Sequence, residues 1–383
     1  MYDAVIVGGG AVGLSLALAL GQQQYRVLII EKKNESVVVD DFQARTIALS
    51  YASKRIYECL HIWEDLSLKA VPISQVVVSV KGHYGRSSLK TDDHEALGYV
   101  VGANVIESVL TQHLVTQPTV EILRPGEILQ RECTQSSWQL TVRGKHQPIA
   151  CKLLVAADGI HSQLRQEQQI STKLMDYNHF AVLANLEMPQ MAQETAIERF
   201  LPNGAIALLP WKNKAFTCVW TTSQQEALAL KNMPEQDFIS CCQEQLGKRL
   251  GKIVRVSERL AFPLTMNVAA QQSGSRFLLM GNAAHNLHPI AAQGLNLSLR
   301  DVWQIRSQLI KAKEPLDIGA QSFLQSYVNE RKSDQHQIIF ATDKIANFMS
   351  SQRIPAPFRA LGITLFDSIK PLKEQFTQRA MGF

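Results

Sequence analysis

A glycine-rich turn between two apolar runs, near the start of the chain, restricts the possible folds more than any other feature. Tyr2–Val7 (YDAVIV) has the composition of a strand that is buried on both faces. The sequence GGGAVG at residues 8–13 follows directly, and after it come the helical pattern LSLALALGQQQ, a strand at residues 26–30 and an acidic residue, Glu31. Strand, GxGxxG, helix, strand and acid, in this order and spacing, are typical of a dinucleotide-binding βαβ unit. The sequence therefore predicts a Rossmann-like α/β domain.

Each part of this pattern has a physical role beside a nucleotide. Gly8 permits the tight turn, Gly10 lets a pyrophosphate approach the backbone, and Gly13 lets the helix pack closely on the strand. The N–H groups of Ala11 and Val12 begin the helix, where the helix dipole favours a negative charge. We therefore expect the phosphates to lie against this turn.

Glu31 occupies the position where a carboxylate accepts hydrogen bonds from the hydroxyls of a ribose. Its negative charge also disfavours a 2′-phosphate, so we expect FAD or NAD at this site rather than NADP. The alternative is a glycine-rich turn of another α/β fold, because a GxGxxG sequence alone is weak evidence.

Composition argues against several other classes of protein. The chain has 383 residues, of which 46% are hydrophobic and 19% charged, which suits a large core and either two domains or one elaborated α/β domain. The net charge of +5 is scattered along the chain, so nucleic-acid binding is not expected. The six cysteines form no CxxC and no zinc-ligand spacing, so neither a disulfide framework nor a metal site is expected. The sequence contains no long uninterrupted apolar run, and we expect a cytoplasmic protein without a signal peptide or a membrane span.

Helix and strand patterns continue through the rest of the chain. The predicted elements are a helix over 52–66, a strand over 73–81, a helix that Asn104 caps, strands at Val120–Leu123, Trp138–Val142, 153–156 and 277–280, and a helix over about 295–311. Between 176 and 264 the pattern predicts mostly antiparallel strands with one helix near 235–250. The sequence thus indicates three parts. The first is a discontinuous nucleotide domain of residues 1–72, 98–175 and 275–345. The second is an inserted β-sheet substrate domain of residues 73–97 and 176–274, and the third is formed by C-terminal helices at 346–383.

Two further segments stand after predicted strands. The segment AADGIHSQLR at 156–165 enters a helix, and Asp158 at the end of the strand can meet a ligand in the crevice of the sheet, although Asp-Gly alone is an ordinary turn. The segment GNAAHNLHPIAAQGLNLSLRD occupies 281–301. Its His285 and His288 lack a carboxylate or a third histidine at ligand spacing, so a loop and helix start is favoured over a metal site.

Together, the three motifs resemble those of the group A flavoprotein monooxygenases, the p-hydroxybenzoate hydroxylase-like enzymes. The motifs are GxGxxG near the start, ADGxxSxxR near 160 and G(D/N)AAHxxxPxxxQGxN near 290, and the resemblance covers most of the chain. Within this family the chain is most similar to the ubiquinone-biosynthesis hydroxylases, as shown by QARTIALS at 43–50, GYVV at 98–101 and QRAMG at 378–382. GNAA at 281–284, where most of the superfamily has GDAA, is similar to the branch that acts on 2-polyprenyl-6-methoxyphenol.

The resemblance implies one bound FAD and assigns residues to it. Asp158 would lie by the pyrophosphate and ribityl chain, and Arg45 near the flavin and phosphates, where its planar fork suits phosphate oxygens. Asn282 would take the place of the aspartate that bonds the ribityl chain, keeping an acceptor but losing the charge.

The loop and helix that follow residue 288 are implied to lie against the flavin ring. Pro289 would shape the loop, and Gly294, Leu295 and Asn296 would present backbone N–H groups to the N1–C2=O edge, where reduced flavin carries negative charge. No catalytic base follows from the sequence. Histidines are candidates, but His288 is equally suited to hold its own loop.

The implied reaction is the hydroxylation of a polyprenylated phenol. NAD(P)H, bound only transiently, would reduce FAD, and O₂ would form a C4a-hydroperoxide that the electron-rich ring attacks. The basic amphipathic segment at 353–383 predicts either a helix on the chain's own core or peripheral contact with the inner face of a membrane or with a multi-enzyme ubiquinone-biosynthesis complex. The alternatives are another ring hydroxylase of the same pathway, a hydroxylase of an unrelated aromatic compound, and a non-catalytic FAD-binding scaffold.

Overall fold

The structure, a computed structural model, describes residues 1–34, 40–83, 85–91, 94–312, 314–350 and 356–382. Its strands are β1 (Tyr2–Val7), β2 (Val27–Ile30), β3 (Thr46–Ser50), β4 (Val71–Ile73), β5 (Gln75–Val80), β6 (Arg86–Lys90), β7 (Gly98–Gly102), β8 (Val120–Leu123), β9 (Ile128–Cys133), β10 (Trp138–Val142), β11 (Ile149–Ala156), β12 (Thr172–Glu187), β13 (Thr195–Leu201), β14 (Gly204–Pro210), β15 (Ala215–Thr222), β16 (Arg255–Val256), β17 (Leu260–Ala269), β18 (Ser273–Gly274), β19 (Phe277–Leu279) and β20 (His285–Asn286). Its α-helices are α1 (Ala11–Gly21), α2 (Tyr51–Cys59), α3 (Trp63–Ser67), α4 (Ala103–Val115), α5 (Gln163–Glu167), α6 (Gln224–Asn232), α7 (Glu235–Leu246), α8 (Gln293–Lys311), α9 (Gln321–Ser350), α10 (Ala356–Ser368) and α11 (Lys370–Met381).

The first sheet contains the predicted βαβ unit. Its strands lie in the order β18-β19-β11-β1-β2-β8, and those from β19 to β8 are parallel, while β10 and β9 extend the sheet from β11 in antiparallel fashion. Helix α1 is buried from Gly13 to Gly21, because it packs in one apolar core with strands β1 and β2 and with helices α4 and α8. This burial on all sides explains why the helix is apolar on every face.

The second sheet is mostly antiparallel and takes strands from two parts of the chain. Its order is β20-β17-β12-β15-β14-β13-β5-β6, with β16 paired to β12, and β13 and β5 are its parallel pair. A small sheet, β3-β7-β4, stands beside it. The predicted fold class, a Rossmann-like domain with an inserted antiparallel sheet and C-terminal helices, is confirmed.

Several predicted element limits are wrong. The helix expected over 52–66 is divided into α2 and α3 by a turn in which His61 has a φ of +57°. Asn104 does not cap α4, since the strand β7 passes directly into the helix and Gly102 is the N-cap residue. The helix near 235–250 is preceded by a separate helix, α6, and the run at 73–81 is split at Ser74 because β4 and β5 pair in different sheets.

The division into a nucleotide part and a sheet part remains a proposal about domains. The expected limits at 175 and 345 fall inside β12 and α9, so we place them at the ends of those elements instead. Helix α9 covers both parts, as it packs against α8 and also against β12 and β14.

A buried ionic network connects the loop after β19 to two helices. Asp301 of α8 accepts hydrogen bonds from Arg331 (Nε–Oδ1, 2.6 Å) and Gln335 (Nε2–Oδ1, 2.9 Å) of α9, and its Oδ2 lies 2.7 Å from His285 Nε2. Burial alone would raise the pKa of the Asp301 carboxyl, but His285 and Arg331 outweigh burial and hold it below its usual range. The network therefore fixes the segment 281–296 against the helical layer.

Candidate active site

The carboxyl ends of the parallel strands bring four predicted segments together. Gly8 follows β1, Glu31 follows β2, Asp158 follows β11 by two residues, and Gly281 follows β19 by two residues. Parallel strands end at the same edge of a sheet, where ligands of open α/β sheets bind. Contacts confirm the proximity: a Cβ atom on Gly8 would lie 2.3 Å from the carbonyl oxygen of Ala157.

The three glycines of the GxGxxG pattern differ in what a side chain would meet. Gly8 has a φ of +113°, and a Cβ on Gly13 would lie 2.1 Å from the carbonyl oxygen of Gly8, so both positions exclude a side chain by packing. A Cβ on Gly10 would have only Glu107 Oε1 nearby, at 3.9 Å. Gly10 thus faces open space, as a position that must admit a phosphate requires.

Glu31 and Arg124 hold the glycine turn from two sides. Glu31 Oε2 accepts a hydrogen bond from the N–H of Gly9 at 2.5 Å, and Oε1 accepts one from Lys33 N at 2.8 Å. Arg124 Nη2 donates to the carbonyl oxygen of Gly9 at 3.3 Å. Arg124 directly follows β8 in the same parallel sheet. It could therefore have been predicted in the same way as Glu31 and Asp158, from its position after the end of a parallel strand.

A half-buried carboxyl group, Glu107, lies beside the turn and was not expected from the sequence. Burial raises the pKa of the Glu107 carboxyl, and the positive charges of Arg124 and Arg45 oppose that rise while Glu31 adds to it. Arg45, whose side chain is exposed, is therefore electrostatically close to the turn. Glu107 was missed because it lies on α4 and resembles any polar residue on the outer face of a helix.

Asp158 and Asn282 differ in burial. Asp158 Oδ2 accepts a hydrogen bond from Gln163 N at 3.0 Å, while Oδ1 is buried and has no partner among the described residues. An unfilled acceptor of this kind suits a hydroxyl group of a ligand. The side chain of Asn282 is exposed in a 3₁₀ turn, Gly281–Ala283, next to Val12 at the start of α1.

The start of α8 is open toward the same region. Ala292, its N-cap residue, has a φ of +50° and gives no side-chain cap, so the N–H groups of Gly294 and Leu295 have no partner within the helix. Asn296 lies one turn further along α8, and its N–H is the first that can donate to a carbonyl oxygen within the helix. Pro289 is exposed in the preceding loop.

The side chain of Asn296 positions this helix start. Its Oδ1 accepts hydrogen bonds from Ser50 N at 2.8 Å and Ser53 Oγ at 2.7 Å, and its Nδ2 donates to Ala48 O at 3.1 Å. Asn296 is buried, so these bonds fix α8 to the end of β3. The sequence motif contained Asn296, but its role in joining the two elements was not predicted.

His288 is buried against Tyr177, with ring centroids 4.9 Å apart and nearly perpendicular planes. Its Nδ1 accepts a hydrogen bond from Ile290 N at 3.2 Å. Burial, together with the nearby His179, lowers the pKa of His288 to about 4. The neutral ring therefore holds its loop and is a weak acceptor of protons near neutral pH.

A cavity of about 610 Å³ adjoins the start of α8. Its floor is the second sheet, from β5 and β6 across β13, β14 and β15, and its roof includes the C-terminal helices α10 and α11. Ser50, His288, Gln293 and Asn296 line one end, and most of the rest is apolar. One carboxylic acid, Glu198, lies on the floor among the described lining residues, and the sequence reasoning did not select it.

This arrangement fits a flavin dinucleotide. The open face of Gly10, the unfilled Asp158 Oδ1 and the open N–H groups of α8 offer sites for phosphate, hydroxyl and a negatively charged ring edge. The fold and site thus define an FAD-dependent oxidoreductase with an adjoining cavity for its substrate.

Comparison with known proteins identifies the family. Residues 1–342 match the FAD binding domain family, and the chain belongs to that family. It is 30% identical to the ubiquinone hydroxylase UbiL of Rhodospirillum rubrum over 99% of this chain and 89% of that protein. It is 27% identical to the human mitochondrial ubiquinone biosynthesis monooxygenase COQ6 over 98% of this chain and 91% of that one. The chain is an FAD-dependent aromatic monooxygenase, and the predicted resemblance is confirmed.

Solved structures support the same fold. The p-nitrophenol 4-monooxygenase PnpA of Pseudomonas putida has a TM-score of 0.80 at 18% identity, covering 99% of this chain and 97% of that one. The Diels-Alderase PyrE3 has a TM-score of 0.74 at 19% identity, covering 99% and 80%. Because these two proteins have different activities, the fold alone does not select the reaction.

The described residues contain neither a candidate metal site nor a candidate membrane span. No group of three or more His, Cys, Asp or Glu side chains in that part of the chain is arranged to hold a metal ion. Within the same residues, no helix combines the length and the apolar character needed to cross a membrane.

Proposed function

We propose that the protein hydroxylates the ring of a polyprenylated phenol in ubiquinone biosynthesis, with 2-polyprenyl-6-methoxyphenol as substrate and NAD(P)H and O₂ as co-substrates. The observation that carries this proposal is the cavity, which begins at the start of α8 and continues as an apolar space under α10 and α11. Its volume of about 610 Å³ lies within the range of small-molecule sites. A phenol ring at the polar end and an isoprenoid chain along the apolar floor would match this distribution.

Residues at the strand ends would hold FAD. We assign Gly8, Gly10 and Gly13, with the N–H groups of Ala11 and Val12, to the pyrophosphate. Glu31 is assigned to the ribose of the adenosine, as its carboxylate already stands at the turn. The remaining assignments are Arg45 to the phosphates, Asp158 and Asn282 to the ribityl side, and Pro289, Gly294, Leu295 and Asn296 to the ring.

The chain's own part in the reaction is to orient and to exclude water. FAD, when bound, supplies the redox chemistry. The open N–H groups of α8 would stabilise negative charge on a flavin ring bound there, and the apolar cavity would keep solvent from the reacting centre. The hydrogen bonds of Asn296 to β3 hold the start of α8 in place. The flavin ring would therefore keep a fixed position relative to the cavity.

Helix α10 supports a peripheral contact with a membrane. Gly362, Ile363 and Phe366 line the cavity, whereas Leu361 and Leu365, one helical turn apart, are each 55% exposed on the other side. Exposed leucines at i and i+4 beside basic residues are typical of helices that lie in a lipid interface. We therefore propose that this protein is cytoplasmic and that it contacts the inner face of the membrane, or another enzyme of the pathway, through this helix.

Vesicle binding tests the membrane contact. The double variant L361S/L365S should sediment less with phosphatidylcholine vesicles that contain phosphatidylglycerol, while L68S, which changes an exposed leucine on α3's end, should bind as the wild type does. Equal binding of all three proteins would contradict the contact.

One experiment tests the activity. The purified protein is supplied with FAD, its absorbance spectrum is recorded, and NADPH or NADH is added with a short-chain 2-prenyl-6-methoxyphenol under air. We expect a bound-flavin spectrum, phenol-dependent oxidation of the nicotinamide and a hydroxylated product. Flavin binding without a response to any phenol would instead favour the scaffold, and a product from another pathway phenol would favour a sister hydroxylase.

A further inference from the structure

The floor of the cavity carries a carboxyl group at its centre. A row of five residues crosses strands β15, β14, β13, β5 and β6, and each pair in it is in register. The row consists of Val219, Ala207, Glu198, Val78 and Ser87, and all five line the cavity. Glu198 thus has an apolar residue on each side and the cavity above it.

The strand that carries Glu198 is linked by packing to the end of the cavity where the ring of the substrate would lie. Two residues earlier on the same strand, Ala196 packs with Leu209 and Ala48 in one apolar cluster. Ala48 belongs to β3, whose end is bonded to Asn296 at the start of α8. Two residues along a strand span about 6.8 Å, which is comparable with the width of a substituted phenol ring.

The other polar side chains of the lining have protein partners. Ser87 Oγ donates to Asp367 Oδ1 at 2.8 Å, Thr221 Oγ1 donates to Ala205 O at 3.2 Å, and Thr377 Oγ1 donates to Lys373 O at 2.8 Å. Glu198, in contrast, receives no hydrogen bond and forms no ion pair with any described residue, and burial in these apolar surroundings raises its pKa to about 7. An acceptor without a protein partner, facing a substrate cavity, is suited to a polar group of the ligand.

Few charged groups face Glu198 from the surrounding elements. The strands on either side, Gln75–Val80 and Gly204–Pro210, contain no ionisable side chain. The histidines of the lining are His179 and His288, and the latter is neutral near pH 7 because its pKa is lowered to about 4. On α10, Asp367 is occupied by Ser87 and by Lys373, whose Nζ lies 2.8 Å from Asp367 Oδ1.

We propose that Glu198 is the general base that takes the phenolic proton of the substrate, an inference that rests on the proposed function. The O–H bond breaks, the proton passes to a carboxylate oxygen of Glu198, and the electron pair stays on the phenolate oxygen. The ring carbon that receives oxygen thereby becomes more electron-rich. After oxygen transfer that carbon loses its hydrogen to solvent as the ring regains aromaticity, and Glu198 returns its proton to the substrate oxygen. O₂ and NAD(P)H, the co-substrates of the proposed reaction, supply the oxidant and the reductant.

The first test compares E198Q with the wild type as FAD-bound proteins. General base catalysis contributes about 10²–10⁴-fold, so kcat for product formation should fall at least about 100-fold. The wild-type rate should rise with pH through about 7, since the carboxylate is the active form, and E198Q should lose this rise. The matched control is E132Q, the same substitution at an exposed glutamate on β9, which should retain wild-type kcat, pH profile and flavin spectrum.

A more acidic phenol separates a base from a structural role. A fluorinated 2-prenyl-6-methoxyphenol that is already ionised at the assay pH needs no base, so E198Q should hydroxylate it at close to the wild-type rate. The proposal is overturned if E198Q keeps more than half of the wild-type kcat, or if it is impaired equally on both phenols. A wild-type enzyme that hydroxylates no phenol would overturn the proposed function together with the base, whereas an active wild type with an equally active E198Q overturns the base alone.

Discussion

The nucleotide site and the substrate cavity of this protein are constructed in opposite ways. The proposed nucleotide site depends mostly on backbone, which is a six-residue turn, a few strand ends and the open start of a helix, with a few side chains such as Glu31 and Asp158. The cavity is made by side chains from at least seven strands and helices that are distant in sequence. The first kind of site depends on conformations that only certain residues allow, while the second depends on packing that many apolar residues can provide. The two sites should therefore respond differently to substitution.

The largest effect is expected at the glycine turn. G13A would place a methyl group 2.1 Å from the carbonyl oxygen of Gly8, which forces α1 away from β1. We expect no FAD-bound protein on purification, as measured by flavin absorbance relative to protein.

G10A is the matched control, because its methyl group meets only Glu107 Oε1 at 3.9 Å. This variant should fold with a wild-type Tm as the apoprotein and lose only FAD affinity. If the G10A apoprotein unfolded at as low a temperature as G13A, or if either variant bound FAD as the wild type does, the glycines would not have the separate roles assigned to them.

The network beneath the loop should give the next largest effect. D301N removes the more buried of the two carboxylates that Arg331 contacts and leaves it only Asp334 (Nη2–Oδ2, 2.7 Å), and breaking a buried ion pair costs up to about 3–5 kcal/mol of unfolding free energy. Denaturant titration measures this loss, and FAD should be released at a lower denaturant concentration. The control D65N changes an exposed aspartate paired with His113 and should cost less than about 1 kcal/mol. A D301N protein as stable as the control would show that the loop is not held by this network.

Glu198 should destabilise the folded protein at high pH. Its pKa rises from 4.5 to about 7 on folding, so the folded state binds the proton more tightly than the unfolded chain. The unfolding free energy should therefore fall as pH rises from about 4.5 to about 7 and stay level above it. E198Q removes this cost and should be more stable than the wild type by about 1–3 kcal/mol at pH 8, and equally stable at pH 4. If E198Q and the wild type had equal unfolding free energies at pH 8 as well as at pH 4, the carboxyl of Glu198 would not be desolvated.

The smallest effect is expected from reducing the volume of the cavity. A207L, next to Glu198 on the floor, should raise KM for a long-chain phenol about tenfold, which corresponds to about 1.4 kcal/mol. The affinity for FAD should stay within about twofold of the wild-type value, because no residue assigned to FAD lies on the floor of the cavity. A parallel loss of FAD would contradict the separation of the two sites.

The same contrast explains what the sequence could predict. Gly8, Gly13, Glu31 and Asp158 could be proposed from the sequence because the roles assigned to them depend on local pattern, a turn or the end of a strand. Glu198 was not found, since a charged residue within TAIERFL resembles any exposed position of a strand until its neighbours in the sheet are known.

The fold was predictable to a similar degree. Most central strands of the first sheet were placed within a few residues, because buried parallel strands have a distinctive apolar composition. The pairing of β5 with β13 and the closure of the cavity by α10 and α11 were not predictable, because they depend on contacts between segments more than 100 residues apart.

The strand order of the first sheet also constrains how the protein is synthesised. The central strand β1 is synthesised well before its neighbour β11 (Ile149–Ala156), and β19 is made later still, near residue 279. A nascent chain therefore displays an unpaired apolar strand edge until β11 has been translated, which is a period when aggregation competes with folding. Cofactor loading must come late, because the loop and helix from 281 to 296 emerge last of the segments that would enclose the flavin.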